Sequence, residues 1–203
     1  MTDRDATILV VDDDPEFRQS MHRFLRSCGF RCVLLASAQE LLDRAPGDGP
    51  TCALVDLRMP GMSGLQLQSE LARTGRRCAI VFLSGHGDVK TATQAMKGGA
   101  VDFLEKPFNE ASLLDAIERA LARDAAGRAE EATRDDARER LGHLTTAERK
   151  VVELLASGLR MKEVGAALGK AESTVRGQAW TAMSKLNVTS TMELARLLDA
   201  ANR

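Results

Sequence analysis

The 203-residue chain predicts an α/β domain followed by a small all-α domain. Three observations predict this. Five short apolar runs alternate with helix-patterned segments over residues 1–121. Such alternation makes a parallel sheet with helices on both faces. Residues 141–203 carry no strand-like run and read as four short helices. Between them, residues 122–140, "ARDAAGRAEEATRDDARER", hold almost no large apolar residue and read as a linker.

Each element has a local reason. Ile8-Leu9-Val10-Val11 makes residues 7–11 a buried strand. Asp14 and Pro15 then start a helix, because Asp accepts the unpaired N–H groups of a first turn and Pro suits the first helical position. That helix runs from about Pro15 to Cys28 with Phe17, Met21, Phe24 and Leu25 on one face, and Gly29 ends it. "CVLLA" (32–36) is a second strand. Ser37 with Glu40 opens the next helix in a capping-box pattern. "PGDGP" (46–50) is a loop, and "CALVDL" (52–57) is a third strand ending at Asp56. After "RMPGMSG" comes a helix from about Leu65 to Arg73. "AIVFLSG" (79–85) is the fourth strand, with a helix near Val89–Gly98 behind it. "VDFLEKPF" (101–108) holds the fifth strand and a Lys-Pro step, and "EASLLDAIERALAR" (110–123) is an amphipathic helix.

The linker is rich in Ala, Arg and Glu, so it reads as largely helical and able to extend the helix before it; a disordered tether is the alternative. Thr145 with Glu148 makes a capping box before "VVELLASG", which Gly158 stops. "MKEVGAAL" ending at Gly169, "STVRGQAWTAMSKL" and "STMELARLL" complete the four helices. Helix, short turn, helix is the helix-turn-helix pattern.

Composition narrows the function classes. With 44% hydrophobic and 28% charged residues the chain can bury a core and stay in solution. Charge is uneven: residues 1–121 hold 14 basic and 17 acidic residues, a net of -3, and residues 141–203 hold 9 and 6, a net of +3. An acidic front and a mildly basic back point to two units with different partners. No apolar run approaches the roughly 20 residues a membrane span needs, and the charged start "MTDRDATILV" lacks a signal-peptide core. Cys28, Cys32, Cys52 and Cys78 form no CxxC pair and read as reduced thiols of a cytoplasmic protein. His22, His86 and His143 are scattered and read as surface or packing residues.

The chemistry gathers at strand ends. In an open parallel sheet, ligands bind outside the carboxyl ends of the strands. Asp12 and Asp13 end the first strand, Asp56 the third and Ser84 the fourth, and Lys106 follows the fifth, so all five converge on one edge. Two carboxylates about 4 Å apart repel by roughly 4 kcal/mol at an effective dielectric near 20, so a cation or a helix start must accompany them. Asp14 answers to the helix start. Asp12, Asp13 and Asp56 form an oxygen-rich cluster of the kind magnesium takes, alone or with phosphate oxygens. Lys106 adds a point cation and Ser84 a hydroxyl. This set suits transfer of a phosphoryl group onto a carboxylate, with Asp56 the acceptor because it stands alone at its strand end facing the others. One Asp at a strand end is ordinarily a loop or cap residue; five polar groups at matched ends are not.

On "VVDDD", "ALVDLRMPGMSG", "VFLSGHG" and "DFLEKPF", in that order, residues 6–121 resemble the receiver domain of two-component response regulators. The resemblance implies a flavodoxin-like fold. It implies Mg2+ (or Mn2+) held by Asp13, Asp56 and the backbone carbonyl of Arg58, with Asp12 assisting through water. It implies phosphorylation of Asp56 by a sensor histidine kinase. Ser84 and Phe103 match the family's switch pair of hydroxyl and aromatic residues, and Lys106-Pro107 matches a bond usually cis there. On "LTTAERKVVELLASGL", "KEVGAALG", "STV" and "KL", residues 141–203 resemble the LuxR-type helix-turn-helix domain of the FixJ/NarL group. Together these imply a cytoplasmic, DNA-binding transcription regulator that is not an enzyme. A small domain with few basic residues binds double-stranded DNA weakly alone, so the active species is expected to be a homodimer formed on phosphorylation.

The chain departs from that pattern in places. Arg160 and Met161 stand where the group has a small polar cap and Asn, and Lys170 and Ala171 replace an apolar residue and Ser. Losing a Ser cap to Ala costs about 1 kcal/mol, which leaves Ser173 or Thr174 to cap a shortened helix. Gly177 inside the third helix costs up to about 1 kcal/mol relative to Ala, and Gln178 replaces the usual His. Spacing puts Val175, Gln178, Ala182 and Leu186 on the core side. Ser173, Arg176, Gly177, Trp180, Thr181 and Ser184 lie opposite, on the face that would enter the major groove. Arg176 suits phosphate or guanine. Lys162 and Lys185 are phosphate contacts or ordinary solvated lysines. Trp180 is core by residue type and exposed by phase, beside the DNA surface. Two other functions stay open on the sequence: a phosphorylated interaction protein whose helical domain no longer binds DNA, and a magnesium-dependent phosphatase using Asp56 as nucleophile.

Overall fold

A computed structural model describes residues 6–44, 47, 49–85 and 89–202. His86 and the loop residues Pro46 and Asp48 lie outside them. Strands β1 (Thr7–Val11), β2 (Arg31–Leu35), β3 (Thr51–Asp56), β4 (Ala79–Ser84) and β5 (Asp102–Glu105) form one parallel sheet in the order β2-β1-β3-β4-β5. Register levels their carboxyl ends: Val11 is opposite Val55, Asp56 opposite Leu83, and Ser84 opposite Glu105.

Period-two alternation splits the strand residues between two cores. Leu9, Val11, Ala53, Val55, Ile80 and Phe82 pack on one sheet face with α2 (Ala38–Asp43), α3 (Gly64–Arg73) and α4 (Val89–Lys97). Ile8, Val10, Cys52, Leu54, Val81 and Leu83 pack on the other with α1 (Pro15–Ser27) and α5 (Glu110–Gly142). The expected caps form. Asp14 accepts the N–H groups of Glu16 and Phe17, and Ser37 accepts that of Glu40, while the Glu40 carboxylate accepts the N–H of Ala36. Helix α3 starts one residue earlier than the sequence predicts, on a Ser63–Gln66 capping box. Gly64 is needed there: a Cβ would lie 2.6 Å from the Asp56 carbonyl oxygen and 2.9 Å from the Phe82 ring. The four cysteines are unpaired, and burial pushes the Cys32 and Cys78 thiols up to about 11 and about 12, which keeps them protonated at neutral pH.

The chain divides into two compact units, Met1–Arg128 and Ala129–Arg203, so the division falls inside the stretch set aside as linker. Helix α5 spans that stretch. A buried carboxylate ties its middle into the first unit. Asp124 Oδ2 accepts the Thr51 N–H at 2.9 Å and Arg128 Nε at 2.7 Å, and Arg128 also donates to the Gly47 carbonyl.

In the second unit, α6 (Thr146–Ala156), α7 (Met161–Leu168), α8 (Glu172–Lys185) and α9 (Thr191–Asn202) enclose a core with Ala137 and Leu141 of α5. Thr145 and Glu148 form the expected capping box. Helix α7 starts with only half of one: Arg160 has no acceptor to offer, but its N–H donates to Glu163 at 2.7 Å. Two expectations for α8 are corrected. Neither Ser173 nor Thr174 caps it, because the helix already starts at Glu172, with the Ala171 carbonyl accepting the Val175 N–H at 3.1 Å. The turn before it is set by left-handed Gly169 and a Lys170 N–H bond to the Gly165 carbonyl. The core stripe is Val175, Ala179, Ala182 and Leu186, so Ala179 takes the place predicted for Gln178. Gln178 is half-buried at the stripe's edge, where its Oε1 accepts from Lys170 Nζ at 2.9 Å. Among the described residues no helix is long and apolar enough to cross a membrane.

Candidate functional site

The levelled strand ends carry the predicted cluster. Asp12 is buried at the end of β1 and Asp56 half-buried at the end of β3. Lys106 reaches back from behind β5 and bridges them, its Nζ 2.7 Å from Asp12 Oδ2 and 3.0 Å from Asp56 Oδ1. The second oxygen of each acid is also held. Asp12 Oδ1 accepts the Asp14 N–H at 2.9 Å, and Asp56 Oδ2 accepts the Arg58 N–H at 2.7 Å. Arg18 donates to the Asp12 carbonyl at 2.6 Å. The Lys106 N–H donates to the Ser84 carbonyl at 2.7 Å, and the Lys106-Pro107 bond is cis, as the sequence predicts. Burial works against the Lys106 charge, but hydrogen bonds and attraction from Asp12 and Asp56 outweigh it, so its pKa is raised.

Ser84 is buried at the end of β4, and Phe103 is half-buried in the sheet, level with Phe82. Asp13 is exposed and takes no part in these bonds. Among the described residues no three His, Cys, Asp or Glu side chains gather to hold a metal by themselves. The donor set still suits magnesium, which usually takes one or two carboxylates and keeps several waters. Asp12 and Asp56 are two hard-oxygen carboxylates already sharing one cation.

One member escaped the sequence reading. Phe17, read as part of a core face, is half-buried with its ring centroid 3.7 Å from Lys106 Nζ and its plane nearly perpendicular to that of Phe108. Its place in the first turn after three consecutive acids was the available signal.

In the second unit, Ser173, Arg176, Gly177, Trp180, Thr181 and Ser184 are all exposed, and Trp180 is 75% exposed. Arg176 pairs with Glu172 at 2.7 Å. Both are surface groups, so the pair is weak and exchangeable. Thr181 donates its hydroxyl to the Gly177 carbonyl, and Lys162 is exposed. Lys185 is engaged elsewhere: its Nζ lies 2.9 and 2.8 Å from the two carboxylate oxygens of Glu148. The Lys185 hydrogen bond, then the Thr145 N–H, hold the Glu148 carboxyl down at about 2 instead of 4.5. A depressed carboxyl pKa contributes stability that is full above pH 4.5 and is lost as pH falls toward 2. Amide protection in α6 and α8 should therefore fall through that window in the wild type, and less steeply in Glu148→Gln. Equal slopes by hydrogen exchange would refute the coupling.

Residues 8–118 match the family model "Response regulator receiver domain", and residues 142–198 match "Bacterial regulatory proteins, luxR family". The chain is 41% identical to Nodulation protein W of Bradyrhizobium diazoefficiens, over 96% of this chain and 86% of that one. It is 38% identical to Transcriptional regulatory protein FixJ of Azorhizobium caulinodans, over 93% and 89%. Among solved structures it resembles response regulator StyR, with TM-score 0.84 and 39% identity over 96% of this chain and 98% of that one. It also resembles full-length FixJ from B. japonicum, with TM-score 0.57 and 37% identity over 97% of each chain.

Proposed function

The chain belongs to the two-component transcriptional response regulators, not to an enzyme family, and from that premise we propose that phosphorylation of Asp56 by a partner histidine kinase controls DNA binding through α8. The observation that carries this is Lys106 bridging Asp12 and Asp56. An Asp56 carboxylate oxygen forms a bond to phosphorus as the P–N bond of a phosphohistidine breaks. The imidazole keeps that electron pair and leaves as the neutral ring, its other nitrogen carrying the one ring proton. Lys106, still an ammonium, then pairs with the phosphoryl oxygens in place of that carboxylate. The Arg58 N–H holds the other carboxylate oxygen in place. Magnesium or manganese, held by Asp13, Asp56 and the Arg58 carbonyl with Asp12 assisting through water, would supply further positive charge at those oxygens. Ser84 and Phe103 are the proposed switch pair, hydroxyl toward the phosphoryl group and ring following it.

Arg176, Trp180, Thr181 and Ser184 are the proposed groove-reading residues, with Lys162 on phosphate. Lys185 would have to leave Glu148 to join them. Two copies joined by phosphorylation would raise the effective concentration of the second DNA contact. Such a regulator acts in the cytoplasm, where its operator lies.

The test is a gel shift on genomic fragments, with and without acetyl phosphate. Phosphodonor should tighten binding and shift the protein to a dimer, and Arg176→Ala should weaken binding in both states. DNA affinity and assembly unmoved by a donor that does label the chain would defeat the reading.

A further inference from the structure

We infer that Phe17 is a positioning residue for phosphoryl transfer: its ring face holds the Lys106 ammonium at the Asp12 and Asp56 carboxylates and closes that side to water. This deepens the reading of Asp56 as acceptor and rests on it. A lysine ammonium has three donors and no preferred direction. Two approaches are taken by Asp12 Oδ2 at 2.7 Å and Asp56 Oδ1 at 3.0 Å. The Phe17 ring, its centroid 3.7 Å away, lies well inside the range at which an aromatic face attracts a cation.

The ring is itself fixed. Its backbone N–H bonds to the Asp14 carboxylate at 3.3 Å, in the first turn of α1. Its neighbour Phe108 packs against it in a T-shaped pair, 6.5 Å between centroids at 85°, a favoured aromatic geometry. Phe108 follows Lys106 by two residues, so one segment delivers both the ammonium and the ring that props Phe17. Half-burial puts Phe17 at the rim of the site, where apolar surface displaces water.

The arrangement matters because the partner of Lys106 changes during the reaction. With acetyl phosphate, a bond forms from an Asp56 oxygen to phosphorus while the donor's P–O bond breaks. Acetate leaves with the electron pair, and no proton moves. Negative charge shifts from the carboxylate to the phosphoryl oxygens. Asp12 and the ring are the two contacts that stay constant, and a cation kept in place stabilises the transferring group more than a wandering one.

The test compares full-length wild type, Phe17→Leu, Phe17→Tyr and Asp56→Asn with acetyl phosphate and magnesium, following phosphorylated chain over time. Leu keeps the apolar bulk and loses the ring face; Tyr keeps both. Phe17→Leu should be labelled about 3- to 30-fold more slowly, and Phe17→Tyr within about twofold of wild type. Thermal unfolding should show Phe17→Leu fully folded at the assay temperature. A Leu variant as fast as wild type, a Tyr variant as slow as Leu, or a slowing that tracks unfolded protein would each overturn the inference. Label on Asp56→Asn is the separate signature of a wrong acceptor, and would remove the premise.

Discussion

Asp56→Asn should take up no phosphoryl group under conditions where the wild type takes up one per chain. The substitution keeps the shape of the side chain and replaces its nucleophilic oxygens with an amide. An Asn oxygen can still accept the Arg58 N–H, so the loop after β3 keeps its bond. What disappears is the charge that Lys106 balances at 3.0 Å and the oxygen that would bond to phosphorus. The chain should therefore remain folded, with DNA binding that acetyl phosphate no longer changes. Intact mass after incubation with donor and magnesium reads the result directly. Asn protein carrying the same added mass as wild type would move the acceptor elsewhere.

Phe82→Ala should cost the first unit about 3–5 kcal/mol, the range for removing a fully buried aromatic side chain. Phe82 is 0% exposed, at the centre of the core shared by β3, β4 and α3. Its ring also forms the wall that leaves room only for glycine at position 64, directly behind Asp56. Whole domains are stable by only about 5–15 kcal/mol, so the loss would expose β3 and β4 to exchange and weaken phosphorylation with them. Helices α6 to α9 share none of this core and should keep their protection. Hydrogen exchange resolved by segment checks both halves; wild-type protection of β3 and β4 amides would contradict the packing described.

The strand ends were legible because two strong signals coincide there: a buried apolar run, and a polar residue that stops it. Asp12, Asp56, Ser84 and Lys106 could be placed without coordinates for that reason. Helix starts at Asp14, Ser37 and Thr145 were legible because capping chemistry is local. The core face of α8 was harder. Ala179 and Ala182 are small, so their hydrophobic signal is faint, and Gln178 fitted the spacing nearly as well. The pairing of Lys185 with Glu148 joins residues 37 positions apart, and no spacing rule reaches that far. Phe17 was visible as apolar, but only the fold brings Lys106 onto its face.

The buried carboxylate of Asp124 carries a lesson for recombining such modules. Sequence similarity to a receiver stops near residue 118, and an apolar pattern suggests trimming near Leu121. A seam cut there would discard the acceptor of the Thr51 N–H at the first residue of the sheet's central strand. Losing that half-buried hydrogen bond costs about 1 kcal/mol, enough to loosen the start of β3 in a transplanted receiver. The natural joint for a chimera lies after Arg128, where the last of those bonds has been made.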